Sequence, residues 1–167
     1  IVDPESVDIP VWRHAMISFP HPLLKAGLCI LDTPGLNALG SEPELTLSML
    51  PSTQAIIFVL AVDTGVTKSD MNIWTHHVLS TSNANKQGLA VVLNKIDAVY
   101  DEFTGESGYE QTIRSQVSKT AAILGIPENL IFALSAKQAL TAKLRHDEKL
   151  LSDSRISPLE HYLSENI

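Results

Sequence analysis

Short apolar runs at residues 15–19, 28–31, 55–61, 89–93 and 130–134 alternate with stretches of helical spacing, and this alternation restricts the chain to an α/β fold on a mostly parallel sheet flanked by helices. The run at 55–61 is almost uninterrupted, the pattern of a strand buried on both faces. Pro20 and Pro22 close the first run, because proline cannot continue a central ladder. A short helix is expected at 42–50, with Ser41 as N-cap, Glu44 at the capping-box position and Pro51 beyond its end. A second is expected at 69–80, with Met71, Trp74, Val78 and Leu79 toward one side. The clearest covers 109–124, where Ile113, Val117, Ala121 and Leu124 share a face and Gly125 supplies the stop. Helices at 136–151 and 158–164 follow, joined by the polar stretch 152–157.

Two of these runs end in residues with a specific chemistry. Leu31 is followed by Asp32-Thr33-Pro34-Gly35, and Leu93 by Asn94-Lys95-Ile96-Asp97. A strand end of the form Asp-x-x-Gly places a carboxylate where it can hold the water shell of Mg²⁺ and a glycine amide where it can face a terminal phosphate. Asn-Lys-x-Asp offers an amide and a carboxylate that complement the guanine edge. Each motif also has an ordinary structural use. Asp-Thr-Pro-Gly is a common turn, Asn94 can cap a strand end, Asp97 can open a turn, and Ser135 before Ala136-Lys137 can cap a helix. Their order, and their shared place directly after a buried run, is that of a guanine-nucleotide switch protein.

The glycine-rich phosphate loop, Gly-x-x-x-x-Gly-Lys-Ser/Thr, does not occur upstream of Asp32. The match from Gly35 to Gly40 continues with Ser41 and Glu42 and has no lysine for the phosphates, so it reads as chance. The chain opens Ile1-Val2-Asp3 without an initiating methionine, from which a fragment of a longer protein is expected, with the phosphate-binding half in the part removed.

Composition narrows the alternatives. With 44% apolar and 19% charged residues in 167, the chain can bury a core and disorder is not expected. A net charge of −7 without a lysine or arginine cluster argues against nucleic acid or anionic lipid as a partner of this segment. Cys29, the sole cysteine, lies in an expected buried strand, which excludes a disulfide framework and fits a reducing cytosol. The longest apolar run, 55–62, falls far short of the roughly 20 residues a membrane helix needs. His76 and His77 are helical neighbours about 100° apart and cannot chelate one metal as an i, i+4 pair would, so they read as surface residues. Asp101-Glu102 and Asp147-Glu148 read as solvated faces near helix ends or turns, and no Gly-x-Ser-x-Gly supports a hydrolase triad.

With these motifs and the flanking segments Phe19-Pro20-His21-Pro22-Leu23-Leu24-Lys25, Leu50-Pro51-Ser52-Thr53-Gln54-Ala55, Phe58-Val59-Leu60-Ala61 and Ser69-Asp70, nearly the whole chain resembles the GTPase domain of a bacterial dynamin-like protein. The resemblance implies a Ras-like P-loop NTPase fold lacking its first strand and phosphate loop, with residues 1–167 forming a partial dynamin-type G domain. It implies GTP/GDP and Mg²⁺ as cofactors and hydrolysis of GTP to GDP and phosphate by the parent protein, the fragment alone having negligible turnover. Asp32 would hold Mg²⁺ through water and Gly35 would contact the γ-phosphate, these two being the catalytic candidates. Thr33 and Pro34 would line the nucleotide, Asn94 and Asp97 would read guanine, and Lys95 would lie along the base plane. The loop Ser135-Ala136-Lys137 would present backbone amides to the guanine oxygen. Asn94 stands where eukaryotic dynamins usually carry threonine, which favours the bacterial branch, and the loop at 63–69 is shorter than their dimer-bridging loop. The protein is expected to be cytoplasmic, reaching a membrane only through regions outside this chain.

A Ras-like sheet without its central strand would leave two apolar edges. The expectation is that the runs at 28–31 and 55–61 pair directly, or that a strand from another copy or from the first dozen residues fills the gap. Self-association through such edges follows. The alternative is a non-catalytic assembly module on a degenerate GTPase fold.

Overall fold

The structure, a computed structural model, describes residues 15–33, 50, 53–79, 88–100 and 105–166. The chain divides into two compact units, Ile1–Ile30 and Leu31–Ile167.

Among the described residues of the first unit the regular element is a single helical turn, α1 (Pro22–Lys25). His21 caps it by accepting from the Leu23 N–H through Nδ1 at 3.4 Å, and proline at the first helical position leaves no amide unsatisfied. Two sequence expectations are corrected here. Residues 15–19 and 28–31 are not strands, and Met16, Ile17, Phe19, Ile30 and Leu31 are exposed. Cys29, expected in a buried strand, is exposed as well. A four-residue apolar run is buried only when strands flank it and a layer covers it, and no ladder forms on this one. The run at 28–31 therefore forms no strand, which the expected direct pairing required. The first dozen residues lie outside the described residues, as do 42–49 of the expected first helix.

The second unit is built on a parallel sheet of β1 (Ile56–Ala61), β2 (Leu89–Asn94) and β3 (Ile131–Ala133), ordered β1-β2-β3. The register sets Phe58 beside Val91 and Val92 beside Phe132. Between β1 and β2 lie α2 (Lys68–Ile73) and a π-helical turn, Trp74–Val78. A 3₁₀ turn (Ile96–Val99) and α3 (Gly105–Leu124) lead from β2 to a second 3₁₀ turn (Glu128–Leu130) and β3. Three helices finish the chain: α4 (Ala136–Arg145), α5 (Glu148–Ser154) and α6 (Ser157–Asn166).

Helices cover both faces of the sheet. Phe58 and Trp74 pack ring to ring at 5.3 Å, which places the π-helical turn on the face that Leu60, Leu89, Val91 and Leu93 share with Ile113, Ala121 and Leu124 of α3. Phe132 meets Tyr162 at 5.2 Å, which places α6 on the opposite face with Ala90 and Val92. β2 is thus buried on both sides, and each fully buried Val or Leu there is worth about 1.5–3 kcal/mol. β1 does not match the expectation of two buried faces. It alternates, with Ile57 and Val59 37% and 58% exposed, because among the described residues it is the sheet edge.

Helix ends follow the sequence in most places. Thr67 and Asp70 form a reciprocal capping box that starts α2. Gly125, at φ 68, ends α3 and lets two amides close on the Ala121 carbonyl. The expected continuous helix over 136–151 is instead broken. His146 takes a left-handed conformation at the end of α4, and Asp147 accepts from the Leu150 N–H at 3.0 Å to start α5. The expected linker at 152–157 shrinks accordingly, since α5 runs to Ser154 and α6 starts at Ser157.

Candidate functional site

At the carboxyl ends of β2 and β3, where ligands of open parallel α/β sheets bind, the chain brings Asn94, Lys95, Asp97, Ser135 and Ala136 together. Hydrogen bonds tie the two strand ends: Leu134 N–H donates to the Leu93 carbonyl at 2.9 Å and Ile96 N–H to the Leu134 carbonyl at 3.3 Å. On the other side of β2, Val62 N–H donates to the Asn94 carbonyl at 2.9 Å.

The Asn94 side-chain oxygen accepts from Lys95 N–H at 2.8 Å and from Ala136 N–H at 3.0 Å. Two N–H donors identify this atom as the oxygen, so the amide NH₂ remains as a fixed donor. Lys95 is left-handed, at φ 69, and this bend starts the 3₁₀ turn that carries Asp97. Ser135, fully buried, donates its hydroxyl to Asp97 Oδ1 at 2.6 Å and accepts from the Gln138 N–H at 3.1 Å. It therefore caps α4 and orients the carboxylate at once. Among the described residues, the second carboxylate oxygen of Asp97 has no hydrogen-bond partner.

The same geometry narrows one expectation. Ser135 N–H donates to the Ser154 carbonyl at 2.9 Å and Ala136 N–H to Asn94, so two of the three loop amides are already committed. Among the described residues, Lys137 N–H, on the exposed first turn of α4, is the amide of that loop left without a partner.

Asp32 and Thr33 are exposed and lie in no helix or strand, and no hydrogen bond among the described residues joins them to the Asn94 and Asp97 loop. Pro34, Gly35, Asp101 and Glu102 lie outside the described residues. His76 is exposed and sits near the Asn72 carbonyl at 2.9 Å, and its ring is tilted 55° from that of His77.

Sequence reasoning missed the groups behind the site. Arg155, left-handed at φ 57, pairs with Glu110 of α3, and its guanidinium lies 5.6 Å from the centre of the Tyr109 ring. Tyr109 in turn meets Tyr100 edge-on at 5.7 Å. Burial raises the Tyr109 pKa above 10.0, Arg155 opposes the rise, and Glu110 and Asp97 add to it. A groove of about 690 Å³ beside α3 is lined by Glu110, Ile113, Val117, Phe132 and Arg155, and none of the base-site residues borders it.

No protein-family model matches the chain. It is 30% identical over 126 residues to the Arabidopsis thaliana protein named "Probable transmembrane GTPase FZO-like, chloroplastic", an alignment that takes in 75% of this chain and 13% of that protein. It is 24% identical over 153 residues to the bacterial dynamin-like protein of Nostoc punctiforme, with 83% and 21% covered. An uncharacterised protein of Caldicellulosiruptor is 25% identical over 150 residues, with 89% and 35% covered. The chain thus spans about a third or less of the length of these curated relatives. The α/β fold is compatible with a Rossmann or P-loop arrangement, and two of these relatives carry names of dynamin-like or FZO-like GTPases.

Proposed function

We propose that this chain is the guanine-recognition half of a GTP-binding domain of the dynamin-like type, and that the whole protein hydrolyses GTP. The observation that carries this reading is the joint orientation of Asn94, Asp97 and Ser135 at adjacent strand ends. In this reading Asp97, held through one oxygen by Ser135, offers the other as an acceptor for the two N–H donors of guanine, and Asn94 adds a fixed NH₂ donor. Adenine offers the carboxylate no such pair, so a site built this way rejects it by leaving a charged acceptor unpaired.

The residues fit the two implied ligands unequally. The hydrogen bonds among Asn94, Ser135, Ala136 and Asp97 support a site for the base. For Mg²⁺ the described residues supply Asp32, one exposed carboxylate, where a hard cation needs six or more oxygens, and among them no group of three metal-ligating side chains occurs. The phosphate and metal contacts therefore belong, in this reading, to residues other than those described, and the chain alone binds nucleotide weakly and turns it over negligibly. No described helix is long and apolar enough to cross a membrane, so membrane contact is assigned to other parts of the protein. Self-association, in this reading, uses β1, which is the sheet edge among the described residues and whose Ile57 and Val59 are exposed on one face.

Calorimetric titration of GDP and of ADP, each with Mg²⁺, tests the proposal. GDP binding without ADP binding, abolished in Asp97→Ala, is expected. Equal binding of both nucleotides, or GDP binding indifferent to Asp97→Ala, would refute guanine recognition.

A further inference from the structure

The serine and carboxylate halves of the base site are joined by a second, longer route through the back of the fold. From Ser135, the N–H reaches the carbonyl of Ser154, a fully buried residue whose hydroxyl is spent on the Leu151 carbonyl at 2.5 Å. The next residue is Arg155, whose own N–H returns to the Ser152 carbonyl and whose φ of 57 is one that glycine adopts freely and arginine does not. What arginine adds at this position is its side chain. That side chain pairs with Glu110 and lies over Tyr109 on α3, and Tyr109 packs edge-on against Tyr100. Tyr100 ends the 3₁₀ turn that carries Asp97. The contacts therefore close a ring from Asp97 through Ser135, Ser154, Arg155, Tyr109 and Tyr100 back to the turn of Asp97.

We propose that Arg155 is a positioning residue of the guanine-recognition site, anchoring the Ser154 carbonyl that holds the Ser135 loop and, through Tyr109 and Tyr100, the turn that presents Asp97. The proposal rests on the guanine-recognition reading for its ligand, and on the contacts above for its geometry. Its chemical consequence is specificity for the two-donor edge of guanine. The hypoxanthine base of inosine diphosphate presents the ring N–H but lacks the exocyclic amino group, so the preference for GDP over IDP reports how squarely Asp97 faces the base. A general loss of stability weakens both nucleotides alike; loss of positioning erodes the preference.

Arg155→Gly separates the two roles, because glycine suits the left-handed backbone while removing the anchor. Glu110→Gln is the second variant and leaves residue 155 intact. Two readouts are taken on the whole chain: nucleotide affinity from NMR shift titration with GDP and IDP, and hydrogen exchange of the Ser135 and Ala136 amides. In the wild type, GDP is preferred over IDP by about tenfold, the worth of one hydrogen bond to a charged group. In Arg155→Gly the preference collapses toward unity and the two amides exchange about tenfold faster, while amides in the centre of β2 keep their protection. Glu110→Gln shifts both readouts in the same direction by less. Unchanged preference and unchanged exchange in Arg155→Gly would overturn the proposal. If the wild type binds neither nucleotide, the guanine reading fails by itself, and the exchange rates still decide the anchor: slow amides in Arg155→Gly reject it and fast ones support it.

Discussion

At the scale of single residues, the candidate site shows how one side chain serves structure and chemistry together. Ser135 reads equally well as a helix cap and as a base-loop serine, and its hydroxyl does both by accepting from Gln138 and donating to Asp97. Among the described glycines, the confined one is Gly88, just before β2. Its φ is +99, and a Cβ there would stand 2.7 Å from the Gln54 carbonyl oxygen, with Ala55 also within contact. Gly88→Ala is therefore expected to destabilise the fold by about 2 kcal/mol or more, combining backbone strain with a clash against main chain that has no room to yield. Urea denaturation with an unchanged midpoint would contradict this. Trp74 is fixed as closely, with its indole N–H on the Leu124 carbonyl at 3.1 Å, so it fastens the π-helical turn to the end of α3.

At the scale of elements, α3 was the most legible part, since a helix with one apolar stripe imprints its environment on sequence, whereas the two-sided burial expected of 55–61 falls on β2, because apolar residues alone do not say which strand is central. The break between α4 and α5 was not legible, because apolar residues on either side of His146 continue a helical spacing while the left-handed backbone there has no side-chain signature of its own. Asp147 gives a local reason for the restart. Asp147→Ala removes the acceptor for the Leu150 N–H and is expected to cost about 1 kcal/mol, read as a lower urea midpoint at constant slope. A shift indistinguishable from zero would mean that packing alone starts α5. The runs at 15–19 and 28–31 misled for the converse reason: composition makes a strand possible, but only a partner strand makes one.

At the scale of the molecule, the three strands among the described residues, with helices on both faces, set the candidate site at the sheet's carboxyl end. The same packing partly buries two phenols. Tyr109 and Tyr162 both have pKa values above 10.0, burial being the largest cause for each. The native state thus keeps these protons to higher pH than the unfolded chain does, so their contribution is complete below pH ~10 and is lost as pH rises through the folded values. The urea midpoint is expected to stay level toward pH 9 and fall above about 10, with a shallower fall in the Tyr109→Phe, Tyr162→Phe double variant. An identical fall in that variant would assign the effect to other groups. The sequence by itself determined the strands near 55–61, 89–93 and 130–134, the helix that ends at Gly125 and the order of the candidate base-reading residues, because apolar periodicity and strand-end chemistry are local properties. The tertiary structure alone decided that Asn94 bonds Ala136, that Ser135 holds Asp97 and that Arg155 braces both from 45 residues beyond Glu110, because such contacts depend on which chain ends the fold brings side by side.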